Sequence, residues 1–245
     1  MDANSPTVLV SGANRGVGLA LVQEFAGHGW NVLASARSPE AAPELAALAR
    51  ANPRIVPEAL DVTSVASMQA LAARIRGRPL DLLFNNAAVL GDRHDLGNRR
   101  QQLGGLDEAL FDRVMKTNVY GPLKLAETLV DNVLASRQKK IVTLSSGLGS
   151  LAMMGAMSRF YYYQMSKAAL NMGLRALRHD LRPRGITVAI LAPGLVKTDL
   201  LAESGYTGEA LSAAQSAAGL YRLVERLTID DPGLPINVDG RVIPW

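Results

Sequence analysis

Residues Phe160 to Lys167, FYYYQMSK, place three tyrosines in a row ahead of a lysine. In a helix successive residues turn by about 100°, so positions four apart share a face. Lys167 follows Tyr163 by four positions, Tyr162 by five and Tyr161 by six. Tyr163 is therefore the phenol that can stand beside the ammonium group. A free phenol titrates near pKa ~10, too weak an acid for efficient proton donation at neutral pH. A cation ~4 Å away, at an effective dielectric of about 20, favours phenolate by ~4 kcal/mol, a ceiling of roughly three pKa units. The expected chemistry is proton transfer from a tyrosine acidified by its lysine. The plainer reading of the same pair is a cation–π or snorkelling contact.

Short apolar runs alternate with helix-period segments. The strands are expected at Thr7–Val10, Asn31–Ser35, Ile55–Ala59, Leu80–Phe84, Ile141–Leu144, Ile186–Leu191 and Ile236–Val238, and helices at Val17–Ala26, Pro43–Ala51, Val65–Ile75 and Tyr163–Leu181. Strands apolar throughout indicate a sheet covered on both faces, and strand–helix repetition implies right-handed crossovers. The expected fold is α/β: one domain over residues 1–245, a doubly wound parallel sheet of about seven strands with helices on both faces. Residues Gly91 to Gly105 are polar and glycine-bounded and read as a loop. Leu106 to Arg137 reads as helix, but Tyr120-Gly121-Pro122 inside it calls for a kink or a fresh start, because proline within a helix costs ~3 kcal/mol.

The first strand runs into VLVSGANRGVGLAL, with Gly12, Gly16 and Gly18 between strand and helix. Glycines allow the turn and let backbone amides approach a pyrophosphate at the helix N-terminus. A glycine cluster following the first strand of an α/β chain points to dinucleotide binding, with a simple tight turn as the alternative.

The G-x-x-x-G-x-G spacing, the Y-x-x-x-K at Tyr163 and Lys167, and three further segments resemble the short-chain dehydrogenases/reductases. LDV at Leu60–Val62 is similar to the family's adenine-contacting segment, NNAA at Asn85–Ala88 to its N-N-A-G, and PGLVKT at Pro193–Thr198 to its nicotinamide-holding turn. Ser11 stands where the family has threonine, and Ala88 where it has glycine. The resemblance implies a cofactor held by Gly12, Asn14, Arg15, Gly16, Val17, Gly18, Arg37, Asp61, Val62, Asn86, Ala87, Tyr163, Lys167, Pro193, Gly194, Val196 and Thr198. It also implies a catalytic set of Asn118, Ser146, Tyr163 and Lys167. Ser146 would hold the substrate carbonyl, with Ser145 and then Ser150 as alternatives. Asn118 would support a water connecting Lys167 to a proton relay.

The second strand ends LASAR, with no carboxylate for a ribose hydroxyl pair. Arg15 and Arg37 instead suit a 2′-phosphate, so NADP(H) is expected over NAD(H). Within the family, the C-terminal half looks most like the C-factor-type and sniffer-type carbonyl reductases. The implied activity is NADPH-dependent hydride transfer to a ketone or aldehyde, or from the alcohol. The alternative is a dinucleotide-binding signalling or regulatory protein without turnover. Tyr161 and Tyr162, with Met153, Met154 and Met157, read either as an apolar substrate wall or as loop packing. Leu200 to Leu211 reads as a lid. The resemblance also implies a Rossmann-type sheet with strands in the order 3-2-1-4-5-6-7, and a homodimer or homotetramer.

Composition narrows the field. The 245 residues include no cysteine, which excludes disulfides, thiolate nucleophiles and cysteine-bound zinc. His28, His94 and His179 share no metal-ligand spacing. The net charge of +4 is too small an excess to argue for nucleic acid, and Arg137-Gln138-Lys139-Lys140 reads as a solvated rim. No run has membrane-spanning length, and MDANSPTVLVSG lacks the features of an export signal. The expected setting is cytoplasmic, with a small-molecule substrate.

Overall fold

The computed structural model describes residues 2, 4–91, 99–155 and 159–245. Seven strands form one parallel sheet among these residues: β1 Thr7–Ser11, β2 Asn31–Ala36, β3 Ile55–Ala59, β4 Leu82–Asn85, β5 Lys140–Leu144, β6 Thr187–Ala192 and β7 Ile236–Asn237. Their order is β3-β2-β1-β4-β5-β6-β7, the order that the family resemblance implies. β1, β2, β4, β5 and β6 are buried nearly throughout, whereas the edge strands β3 and β7 are partly exposed.

Side chains alternate across the sheet and sort the core into two layers. Val8, Val10, Val32, Ala34, Phe84 and Leu191 face one side, where α1 Gly16–Gly27, α2 Pro43–Ala51 and, further along the chain, Ala213–Arg226 cover them. Leu9, Leu33, Leu83, Ile141, Val188 and Ile190 face the other, beneath α3 Val65–Arg74 and the residues of two longer helices. Phe25 organises the first layer, with edge contacts to Trp30 at 5.1 Å, Tyr221 at 5.2 Å and Phe84 at 6.1 Å between ring centroids.

The long stretch after Leu106 is interrupted where Gly121-Pro122 demands it. α4 Glu108–Met115 passes into a π turn, Lys116–Tyr120, and α5 continues as Gly121–Leu134. The Gly121 N–H reaches back to the Lys116 carbonyl, and Pro122 lies in the first turn of α5, where its missing N–H is tolerated. Of the expected loop, residues 92–98, including His94, lie outside the described residues, and Arg99–Gln101 form a single 3₁₀ turn. α6, Tyr161–Leu181, starts two residues earlier than the sequence pattern suggested, after Phe160 in the left-handed region at φ 60°. α7 Asp199–Glu203 and α8 Ala213–Arg226 complete the described helices, and none is long and apolar enough to cross a membrane.

A Cβ on Gly121 would lie 2.7 Å from the Val62 carbonyl oxygen, so this helix passes the β3–α3 connection at the closest possible range. Gly121→Ala is expected to cost about 1–3 kcal/mol through overpacking, lowering Tm by roughly 2–12 °C. Thermal unfolding measures it; an unchanged Tm would show that the π turn absorbs the methyl group without strain.

Candidate active site

The C-terminal ends of the central strands open into a cleft of 1830 Å³. This is where ligands bind to open α/β sheets. Every cofactor or catalytic residue expected from the sequence lines it except Asn118, which is buried behind it.

The floor is the loop after β1. Gly12 and Gly16 adopt φ values of +67° and +55°, and a Cβ on Gly18 would meet the Gly12 carbonyl oxygen at 2.1 Å. Residues with side chains resist the first two conformations and cannot occupy the third position. The Ser11 hydroxyl accepts the N–H groups of Asn86 and Ala87, both at 3.1 Å. Asn86 Nδ2 donates to the carbonyls of Ser11 and Gly12 at 2.9 and 3.1 Å. Asn86 thus holds the loop from β4, while Asn14 and Val17 lie at its mouth. Asp61 Oδ1 accepts from the Thr63 N–H and hydroxyl at 2.8 and 2.7 Å, fixing the rim beside Val62.

On the opposite wall, Thr198 packs its methyl group toward Gly16 and caps α7, its hydroxyl also donating to the Val196 carbonyl at 3.2 Å. Gly194, after Pro193, adopts φ +77°, a left-handed conformation that residues with side chains resist. Asp199 forms an ion pair with Arg15, joining α7 to the glycine loop. The sequence reading left Arg15 without this partner. Arg37 is exposed at the end of β2 and makes no ion pair among the described residues. The open cleft, glycine-lined floor and two guanidiniums with no facing carboxylate at β2 fit a phosphorylated dinucleotide.

At the other end of the cleft stand Tyr163 and Lys167. The helical spacing brings the Lys167 ammonium 5.6 Å from the centroid of the Tyr163 ring. Lys167 Nζ donates to the Leu144 carbonyl at 2.9 Å. Both groups are buried, and this works against the expected electrostatics. Loss of water pushes the Tyr163 phenol up to about 12, opposed by a hydrogen bond with Ser146, and brings the Lys167 ammonium down to about 8. Burial thus opposes the acidification expected of the phenol beside Lys167, and the lysine's own hydrogen bond goes to the β5 backbone.

The adjacent serines separate. Ser145 is buried and donates to Asn171 Oδ1 at 2.6 Å, a structural bond to α6. Ser146 caps the 3₁₀ turn Gly147–Gly149, accepting from the Leu148 N–H at 3.2 Å, and meets the phenol. Ser150 is buried and accepts from the Met153 N–H. The side chain of Asn118, within the π turn, accepts from the Val89 N–H and donates to the Val89 carbonyl and Ser166 hydroxyl. Those bonds occupy the side chain.

Tyr162 packs edge-on against Phe111, and Tyr161 lies over the same cluster, so both belong to packing between α4 and α6. Met153 lines the cleft and Met154 does not; Met157 lies outside the described residues. Leu200 to Leu211 contains α7 followed by turns, with Leu200, Leu201 and Tyr206 facing the cleft. One contributor was not foreseen: Gln101, fully buried, accepts the Tyr163 N–H at 3.2 Å and so caps the helix that carries the phenol. A glutamine in a polar stretch gave no sign of this. No metal-binding cluster of His, Asp and Glu occurs among the described residues.

Residues 6–207 match the short chain dehydrogenase family. The chain belongs to that family. It is 33% identical to C-signal of Myxococcus xanthus, over 73% of this chain and all of the relative. The NADPH-bound carbonyl reductase from chicken fatty liver superposes with a TM-score of 0.85 at 31% identity, covering 98% of this chain and 99% of that one. The carbonyl reductase Sniffer of D. melanogaster gives 0.87 at 26% identity over 99% and 100%. The likeness to the C-signal and Sniffer branch read from the C-terminal half agrees with these relatives.

The two buried groups give opposite pH signatures. Lys167 titrates below its ordinary 10.5, so between about pH 8 and 10.5 the unfolded chain binds more protons and stability rises with pH. Tyr163 titrates above its ordinary 10, so between pH 10 and about 12 stability falls. In urea unfolding without cofactor, wild type is expected to gain on the order of 1–3 kcal/mol relative to Lys167→Met from pH 8 to 10. A flat difference would show that the ammonium keeps its ordinary value.

Proposed function

We propose that this protein is an NADPH-dependent carbonyl reductase, acting on a ketone or aldehyde or, in reverse, on the alcohol. The observation that carries the reading is Tyr163 standing beside buried Lys167, with Ser146 lining the same glycine-floored cleft. NADP-type binding is supported by Arg15 and Arg37 and by the NADPH-bound chicken relative.

The bound nicotinamide supplies hydride. The Ser146 hydroxyl orients the carbonyl oxygen, and Tyr163 gives that oxygen its phenolic proton. Burial keeps Tyr163 protonated across the working range, which loads the acid before reaction. Lys167 binds the nicotinamide ribose, and below about pH 8 its positive charge lessens the penalty for forming phenolate. Lys167 and a water supported by Asn118 would form the relay that returns a proton to Tyr163. Gly12, Asn14, Gly16, Val17 and Gly18 cradle the pyrophosphate, while Asp61 and Val62 meet the adenine. Asn86 and Ala87 border the ribose, and Pro193, Gly194, Val196 and Thr198 hold the nicotinamide amide.

Loss of NADPH absorbance with a panel of ketones and aldehydes tests the activity. Tyr163→Phe is expected to reduce kcat by roughly 10²–10⁴-fold with NADPH affinity retained; undiminished turnover would remove Tyr163 as the acid. The similarity to C-signal favours a second reading, a dinucleotide-binding signalling protein without turnover. Sustained turnover of any carbonyl eliminates it.

The Arg15–Asp199 ion pair competes with a 2′-phosphate for the same guanidinium. Exposed pairs are worth about 0–1 kcal/mol. Asp199→Asn is therefore expected to tighten NADPH roughly two- to fivefold by calorimetry while leaving NADH unchanged. Equal effects on both would place Arg15 away from the 2′-phosphate.

A further inference from the structure

The chain after β7 doubles back over the substrate end of the cleft. Gly240, at φ +86°, turns it; the Asn237 N–H donates to the Arg241 carbonyl at 2.8 Å, and Ile236 bridges Val242 in antiparallel fashion. The Ile243 N–H donates to the Pro235 carbonyl at 2.8 Å, which seats Ile243, only 6% exposed, in the wall of the cleft beside Val242. The chain then crosses to Trp245, whose ring lies 5.3 Å from the Arg175 guanidinium and packs on the α6 side of the core.

Trp245 also touches the loop that carries Ser146. Its main-chain oxygen accepts the Ala152 N–H at 2.8 Å. That loop is held at a second point, where Gly149 packs so closely on Lys167 that a Cβ would lie 2.8 Å from the lysine's carbonyl carbon. The Ser146-capped turn ends at the first anchor, and Met153, which faces the cleft, directly follows the second. Beyond Gly149 the hydrogen bonds within the loop are local: the Ser150 N–H donates to the Gly147 carbonyl, the Met153 N–H to the Ser150 hydroxyl and the Met154 N–H to the Leu151 carbonyl.

We propose that Trp245 is a positioning residue for Ser146. It straps the 147–155 loop to α6, holding the serine against the Tyr163 phenol, while Val242 and Ile243 form the wall that limits the substituents a carbonyl substrate can carry. The role in turnover rests on the reductase reading; the strap itself does not. A misplacement on the order of 1 Å at a reacting group is worth up to about 100-fold in rate. The strap thus makes the catalytic serine depend on a segment almost a hundred residues further along the chain.

Trp245→Ala and Trp245→Phe are compared with wild type in three measurements. By hydrogen exchange, the Leu148 and Ala152 amides of Trp245→Ala are expected to open roughly tenfold faster, with the centre of α6 unchanged. By steady-state kinetics, kcat falls roughly 10- to 100-fold and bulky carbonyls lose their disadvantage against small ones, while the NADPH Kd from calorimetry stays within about twofold. Trp245→Phe, which keeps the aromatic face for Arg175, restores most of both effects.

Unchanged loop exchange in Trp245→Ala overturns the strap whether or not the protein turns over carbonyls. Loop opening with kcat and substrate preference unaltered overturns the positioning role. Equal damage to NADPH affinity and kcat, unrescued by phenylalanine, marks a merely structural residue and overturns it too. Should Trp245→Ala fail to fold, Arg175→Met carries the same readouts, since it removes the cation and leaves the indole. Wild type that binds NADPH but reduces no carbonyl refutes the reductase reading, and the exchange data then still decide the strap.

Discussion

A lysine ammonium removed from water must find a hydrogen-bond acceptor, and at Lys167 that acceptor is the Leu144 carbonyl at the end of β5. Much of the site depends on this bond. It ties α6 to the central sheet at the level of the cleft, and the helical period then fixes where Tyr163 stands. Burial lowers the ammonium toward about 8 and raises the phenol toward about 12. Loss of water thus sets both shifts, and a pair so poorly solvated responds strongly to any charge that enters the cleft.

The cofactor end obeys a steric constraint. Three chain segments converge on the glycine loop: Asn86 from β4 holds its carbonyls, Thr198 after β6 leans on Gly16, and the first turn of α1 approaches the Gly12 carbonyl at Gly18. Such convergence is possible only where side chains are missing. The same economy appears at Gly149 against Lys167 and at Gly121 against Val62. Backbone held by packing on several sides needs no ligand to hold its shape, a sound basis for binding with little ordering loss.

The sheet was legible because burial on both faces leaves apolar runs that no other architecture explains, and strand limits differ by only one or two residues. Tyr163 and Lys167 were legible through the helical period. The sign of their electrostatics was not. Spacing says which groups are neighbours, but the size of a pKa shift depends on how much water remains, a property of the whole packed cleft. Arg15 and Asp199 lie 184 residues apart in sequence, so their pairing has no local signature. Gln101 and Trp245 escaped for the same reason. The tyrosine triplet separated because a helix sends consecutive residues to different faces: Tyr162 to Phe111, Tyr163 to the cleft.

The serine doublet follows from the pleat in a similar way. Adjacent residues in an extended chain point to opposite sides. Once Ser145 turns inward to Asn171 on α6, Ser146 must turn outward, where the phenol meets it. The first hydroxyl anchors the strand end to the very helix that carries Tyr163 and Lys167, so the second starts from a fixed position relative to that pair. A lone serine at the end of β5 would have had to choose between the anchor and the cleft. Two in sequence let one backbone path serve both, and the inner hydroxyl keeps the outer one in register with the phenol.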